Sequence, residues 1–446
     1  MTVTRRIGPL FTDFYELTMA ASYFDNRIFS EATFSVFVRD TSRRNYFVAA
    51  GLEDVLRELE AFHFSEDELN YLRGTRLFSE AFIDYLEGLR FTGTIHALPE
   101  GTIFFPNEPV LEVTAPLIES QIVETYILNT IGFQTNVASK GARCVYAAKG
   151  RPLVDFSLRR TQGQDAGLKV ARSTFLAGFS ATSNVLAGKQ FALPVSGTMA
   201  HSYISAFDRE IDAFRAFAET FPESSVFLID TYDTLKGARN AARVALEMKA
   251  RGYALRGVRL DSGDMVALSR HVRNILDDAK LSEVKIYASS GFDEFEIMDL
   301  ISQDAKIDAF GVGTKVGVSA DAPYLDIVYK LVRFRQRNIR KLSTGKITLA
   351  GKKQIFRRSG TDGTLQEDVI GLRDDAIADG NPLLKKVMEG GRRIDQLPSL
   401  VEIQSRFKIN FARLPETYKS ILNKRNFPVK LSKRLEKVQQ GADRSR

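Results

Sequence analysis

Between residues 155 and 315 the residues able to do chemistry collect at the ends of six apolar runs. PLVDF is followed by Ser157, Arg159 and Arg160. FALPVS ends in Ser196 and gives way to Gly197, Thr198 and His201. SVFLID ends in Asp230, ahead of Thr231 and Asp233, and LRGVRLD carries Arg259 and Asp261 with Ser262, Gly263 and Asp264. VKIYASS precedes Gly291, and IDAFGVG leads through Gly311 to Gly313, Thr314 and Lys315. Guanidinium groups bind carboxylate or phosphate oxygens bidentately, although an Arg at a strand end also serves in structural ion pairs. GVGTKVG offers free backbone N–H groups where glycine permits left-handed conformations, a cradle for phosphate or an ordinary tight loop. The carboxylates of DSGD suit ribose hydroxyls or a Mg²⁺ bridging phosphates, and they also suit a helix cap; both readings hold together. His201 is one of four histidines in the chain and opens a helical pattern. A helix N-terminus disfavours imidazolium and welcomes a phosphoryl group, so a phosphohistidine there is physically sensible. Six such loops together describe a site that handles anions. The chain contains no GxxxxGK[ST], HExxH or GxSxG, which removes the P-loop, zinc-protease and α/β-hydrolase devices.

The elements that must position these residues follow from the rhythm of the sequence. From about Pro152 to Phe334 short β-branched or aromatic runs, the last of them DIVYKLVRF, alternate with amphipathic stretches. HSYISAFDREIDAFRAFAETF, from His201, reads as a single one-sided helix, with Ile204, Phe207, Ile211, Phe214, Ala218 and Phe221 at three-four spacing. Met265, Leu268, Val272 and Ile275 mark another. This alternation predicts a parallel α/β barrel over 141–334, with its site at the carboxyl ends of the strands. Residues 92–115 read as short strands with Pro/Gly turns, and KLSTGKITLAGKKQIFR reads as a hairpin turning at Gly345-Lys346. Residues 10–24 and 52–89 are helical by pattern. The flanking α+β domain is therefore expected from both chain ends, 1–140 and 335–446.

A chain of 446 residues buries a core without staples, and its single cysteine, Cys144, forbids an internal disulfide. With no apolar span long enough for a bilayer, a soluble cytoplasmic protein is expected. The formal charge of +7 is uneven. Arg333–Arg358 holds ten Lys or Arg and no acid, and the tail beyond Ile421 holds eight bases against two acids. Such runs could bind nucleic acid through charge alone, yet no recognition motif accompanies them and a solvated basic face is the preferred reading.

FTDFYELTMAASYF near the start, DFSLRRTQG at 155–163, GTMAHS, IDTYDTLKG, GVRLDSGD, ASSGFDE, FGVGTKV and KLSTGKITLAGKKQIFR resemble, in order, the motifs of nicotinate phosphoribosyltransferases. LPETYKSILNKRNFPVKLS resembles the closing segment of that family. The resemblance implies a type II phosphoribosyltransferase fold, an irregular (β/α) barrel with a flanking α+β domain, in a homodimer with shared sites. It implies transfer from phosphoribosyl pyrophosphate to nicotinate with Mg²⁺, giving nicotinate mononucleotide and pyrophosphate for NAD salvage, coupled to ATP in the manner of a ligase. By the same matching His201 is the phosphorylated histidine, while Arg259 and Arg159 hold the nicotinate carboxylate or neighbouring phosphates. Asp261 faces the ribose hydroxyls; Gly291, Gly311, Gly313 and Thr314 hold the 5′-phosphate; Ser196, Thr198 and Asp230 join the substrate-binding set. Phe156 and the partner subunit's Tyr15 sandwich the pyridine ring. The resemblance names no metal ligands. Two alternatives stand beside it. Nicotinamide-using relatives place an acid near the segment holding Lys189 and Gln190 here, which favours the acid substrate. A protein that kept the fold and lost the chemistry would bind nucleic acid through 333–358.

Overall fold

Strand follows helix through residues 140–323 because most of the short apolar runs are cut off by a helix-capping aspartate or asparagine or by a glycine turn. Leu153–Asp155, Ala181–Thr182, Val226–Leu228, Gly257–Leu260, Lys285–Ser289 and Ala309–Val312 form one six-stranded sheet, parallel throughout. The computed structural model describes residues 7–39, 43–341 and 348–444. The first strand of the set, Leu153–Asp155, pairs on one side with the second and on the other with the sixth. The strands thus follow chain order around a ring, and the ring lacks a ladder only between Ala181–Thr182 and Val226–Leu228. This is an irregular (β/α) barrel split along one seam. Asp233, Asp264 and Asp293 cap the helices Thr234–Ala250, Met265–Asp278 and Glu294–Ser302 with their side chains, Asp293 within a reciprocal capping box with Glu296. Each such cap is worth about 1 kcal/mol and ends the loop at a fixed residue.

The second compact unit, Met1–Ser139 with Tyr324–Arg446, joins both chain ends. In its seven-stranded sheet Glu31–Val38 pairs antiparallel with Ile327–Phe334 on one side and with the central strand Pro109–Pro116 on the other. A four-stranded sheet is built on Lys353–Ser359 and Leu365–Leu372, and helices Phe14–Asp25, Leu52–Glu60, Glu66–Thr75 and Glu80–Gly88 supply much of the remaining core.

Four readings of the sequence change. DIVYKLVRF extends the antiparallel sheet rather than the barrel, because its backbone finds its partner in Glu31–Val38. FALPVS contributes one isolated bridge, Val195 to Thr182: Phe191 ends the helix Val185–Phe191 and Pro194 has no N–H to give a ladder. The strand in that place is Ala181–Thr182, two residues too short to carry a pattern. The stretch from His201 is two helices, His201–Ser205 and Glu210–Thr220, broken where Arg209 takes an extended conformation and binds Asp212 at 2.6 Å. The basic run is a solvated face only in part: Arg335, Arg337 and Lys341 are exposed, but its later bases are paired. Lys353 and Arg357 are buried against Glu112 (2.9 Å) and Asp368 (2.6 Å), Arg358 meets Glu367 (2.8 Å), and Lys352 meets Glu31 (3.0 Å). The Gly345-Lys346 turn lies outside the described residues, and Lys353–Ser359 pairs with the strand that follows it.

Candidate active site

At the carboxyl ends of the barrel strands lies a cleft of about 640 Å³, lined among others by Phe156, Arg159, Thr198, His201, Arg259 and Asp261. Ser289, Ser290, Gly291, Gly311, Gly313 and Thr314 complete the same wall. Its volume is that of a small-molecule site.

The local folding that puts these groups together is traceable bond by bond. Buried Asp155, at the end of the first barrel strand, accepts from the Ser157 N–H at 2.9 Å and from the Thr182 hydroxyl at 2.8 Å. Those bonds turn the chain at Phe156 and hold the second strand beside it. Burial pushes the Asp155 carboxyl up, and the Ser157 and Thr182 bonds oppose that shift. Asp230 Oδ2 accepts from the Asp261 N–H at 2.8 Å and the Ser262 hydroxyl at 2.7 Å, so one carboxylate oxygen fixes the neighbouring strand's loop. Asp230 Oδ1 is buried without a hydrogen-bond partner. Asp261 in turn accepts from the Ser289 hydroxyl. The sequence set therefore acts in a chain around the ring: Asp230 places Asp261, and Ser289 orients its carboxylate.

His201 sits between two of these groups. Its Nδ1 lies 3.1 Å from Thr231 Oγ1, and its Nε2 lies 3.8 Å from Asp261 Oδ2. The ring is at the first position of a helix and 44% exposed, accessible to a ligand in the cleft. Arg259 donates to the Thr198 hydroxyl, while its buried Nε has no partner. Burial pushes the Arg259 guanidinium down and nearby Arg159 adds to this, whereas Asp261 and Asp230 support the charge. Arg159 and Arg160 are exposed at the mouth, and among the described residues neither meets a carboxylate. Two cations held close to each other and a donor without a partner describe a place for an anion.

Two glycines are required by geometry. Gly291 has φ +64°, a left-handed conformation. A Cβ at Gly311 would stand 2.5 Å from two ring carbons of Phe156, so this glycine makes room for the aromatic ring. Gly313 N-caps the short helix Thr314–Gly317.

Of the thirteen residues to which the family resemblance assigns a role, ten line the cleft and three do not. Asp230 supports the wall, Ser196 donates its backbone N–H to Thr182 O at 3.0 Å, and Tyr15 belongs to the other unit, 48% exposed on the helix Phe14–Asp25. Lys189 and Gln190 do not line it either. Thr231 and Ser289 stand in the strand-end stretches that the sequence singles out, but the sequence alone gives neither of them a role.

Residues 10–132, 152–350 and 378–439 match, in turn, the nicotinate phosphoribosyltransferase N-terminal domain, the nicotinate phosphoribosyltransferase family and its C-terminal domain. A nicotinate phosphoribosyltransferase of Mycobacterium tuberculosis is 45% identical over 438 residues, covering 98% of this chain and 94% of that protein. One from Bacillus subtilis is 39% identical over 455 residues, covering 95% and 92%. Among solved structures, human nicotinic acid phosphoribosyltransferase is similar with a TM-score of 0.86 at 28% identity, across 96% of this chain and 99% of that one. The nicotinate-nucleotide pyrophosphorylase of Pyrococcus furiosus is similar with a TM-score of 0.75 at 25% identity, across 91% and 95%.

Proposed function

The chain belongs to the nicotinate phosphoribosyltransferase family, and from that premise we propose that its cleft transfers the phosphoribosyl group of phosphoribosyl pyrophosphate to nicotinate. The products are nicotinate mononucleotide and pyrophosphate, and the reaction returns nicotinate to NAD. The observation that carries this reading is the convergence of basic groups, the Asp261 carboxylate and two glycine loops on one bounded volume.

Each group has a use in that reaction. The Gly291 loop and Gly311–Thr314 take the 5′-phosphate, Asp261 accepts from the ribose hydroxyls, and Arg259 with Arg159 takes the nicotinate carboxylate or neighbouring phosphates. Phe156 supplies one face for the pyridine ring. Tyr15, exposed on its own unit, supplies the other in a homodimer whose subunits complete each other's sites. Displacement at ribose C1 builds oxocarbenium character, so the chain's task is to hold the ring nitrogen in line and to stabilise departing pyrophosphate. No protein nucleophile is required for that step.

Among the described residues no three His, Cys, Asp or Glu are grouped to hold a metal ion. Mg²⁺ asks for less, since it binds through one or two carboxylates together with substrate phosphates. Asp261, whose carboxylate lines the cleft, fits that demand. When bound, the ion would neutralise charge on the leaving pyrophosphate.

His201 is assigned to the coupling with ATP: phosphorylated, it adds charge beside the pyrophosphate site and favours the closed, ordered cleft, and its hydrolysis releases products. A cytoplasmic location suits an enzyme whose single cysteine is buried and free, and no helix among the described residues is long and apolar enough to cross a membrane.

The test is mononucleotide formation from phosphoribosyl pyrophosphate and Mg²⁺ with nicotinate or nicotinamide, with and without ATP. Product from nicotinate, enhanced by ATP, is expected; product from nicotinamide alone overturns the substrate. His201→Ala is expected to retain basal transfer and lose the ATP enhancement, and a full ATP response in that variant removes His201 from the coupling.

A further inference from the structure

Behind the two glycine loops runs a chain of ion pairs that neither lines the cleft nor takes part in the reaction proposed above. It begins on the helix Glu124–Ala147, where Lys140 and Arg143 are one turn apart. Arg143 Nε meets Glu294 Oε1 at 2.7 Å, and Lys140 Nζ meets Glu294, Asp293 at 3.4 Å and Asp321 at 3.2 Å. Asp293 is then approached by Lys315 Nζ at 3.9 Å, and Lys315 closes the chain on Glu296. The Lys140 and Glu294 side chains are 0% exposed.

The placement of these residues gives the chain its purpose. Asp293 stands two residues beyond Gly291, and Lys315 stands directly after Thr314. The strands that carry the two loops are neighbours, but their ladder ends at the pair Ser289 and Gly311. Past that pair, the Lys315 bridge to Glu296 and Asp293 ties one loop to the other. Lys140 and Arg143 anchor the bridge to a long helix, and Asp321 anchors the chain that leaves the second loop. Apolar side chains of similar volume would stabilise such a region as well or better than buried charges. Ion pairs instead fix direction and distance, since each partner must stay within about 4 Å of the next to remain paired.

We propose that the Lys315–Glu296–Asp293 bridge, backed by Lys140, Glu294 and Asp321, is a positioning device that sets the separation of the Gly291 loop from the Gly311–Thr314 loop, and through it the affinity for the phosphate of the ribosyl donor. The proposal rests on the reading of these loops as the 5′-phosphate site. Lys315 is the residue to change, because its side chain is 36% exposed and its removal leaves the buried Lys140 pairs intact.

The experiment measures KM for phosphoribosyl pyrophosphate, KM for nicotinate and kcat in the full-length enzyme carrying Lys315→Met, Lys315→Arg, Glu296→Gln or Thr314→Val. Misplacing a binding loop by about 1 Å can reduce efficiency up to about a hundredfold. Lys315→Met and Glu296→Gln are expected to raise KM for phosphoribosyl pyrophosphate about tenfold or more, with KM for nicotinate within about twofold of wild type. Lys315→Arg, which restores the bridge, is expected to recover most of the loss. A lowered Tm with both KM values unchanged, or an equal rise in both, overturns the proposal. Thr314→Val separates the two layers of the argument. If it raises KM for the donor while Lys315→Met does not, the bridge fails and the loop reading stands. If neither raises it, the loop reading itself falls.

Discussion

Substituting alanine for Gly311 separates two uses of one glycine. A Cβ there would lie 2.5 Å from Cδ2 and Cε2 of Phe156 and 3.2 Å from Ser289 Cβ. Carbon atoms in contact settle about 3.5–4.0 Å apart, so the Phe156 ring must retreat by about 1 Å. Phe156 is half-buried and borders the open cleft, which lets it move; the stability loss should sit near the low end of overpacking, about 1 kcal/mol. The catalytic effect should be larger than the thermal one. An offset aromatic stack is worth about 0.5–1.5 kcal/mol, and its loss raises KM for nicotinate about two- to tenfold at about 1.4 kcal/mol per decade. Initial rates with nicotinate varied at saturating phosphoribosyl pyrophosphate, then with the roles reversed, measure this directly. Phe156→Leu should produce the same change in nicotinate KM without the strain. If Gly311→Ala raises the donor KM and leaves the nicotinate KM untouched, Phe156 is not the platform for the pyridine ring and the reasoning fails.

A buried and a half-buried group of the unit built from both chain ends should tilt stability against pH in opposite directions. Burial pushes the Glu16 carboxyl up to about 7, against the Thr12 and Thr125 hydroxyls, from an ordinary 4.5. The native state therefore holds this proton more tightly, stability falls as pH rises from 4.5 to 7, and Glu16→Gln should remove that slope. Burial, helped by Arg373, pushes His96 down to about 4 from 6.5, so its contribution is complete above 6.5 and is lost as pH falls towards 4. His96→Gln should flatten that loss; thermal midpoints from pH 4 to 7 check both variants, and slopes of the same sign would contradict the assignment. Glu112 is buried and holds Lys353 Nζ at 2.9 Å together with Arg373, so Glu112→Gln leaves a buried lysine without its counter-charge. A loss of about 3 kcal/mol in denaturant unfolding is expected, and a loss below about 1 kcal/mol would show that the pair is dispensable.

The parts of the fold that could be read from sequence were those fixed by local chemistry. Val226–Leu228, Gly257–Leu260, Lys285–Ser289 and Ala309–Val312 are apolar runs ended by Asp or Gly, and their loops were legible because barrel sites lie at strand ends. Partners were not legible. Ile327–Phe334 has the same composition as a barrel strand, and only the complementary backbone of Glu31–Val38 decides its sheet. The helix expected from His201 to Phe221 fails for a related reason: periodicity records which residues are apolar and does not register the break at 206–209, where Arg209 is extended. At the cleft, residue types pointed to Arg159, Arg259 and the glycine loops, which do line it, while the hydroxyls of Thr231 and Ser289 gain a place only when His201 and Asp261 are seen beside them.

A closed barrel is a hoop whose girth is fixed by strand number, shear and tilt. The parallel sheet of this chain is a split ring, six strands joined by five ladders, with Ala181–Thr182 and Val226–Leu228 as its lips. Such a ring can widen or narrow by hinging opposite the gap without breaking one backbone hydrogen bond, a movement that a closed hoop resists. The covalent connection between the lips is residues 183–225, and His201 lies on it. The separation of the lips and the placement of His201 are thereby set by one and the same segment.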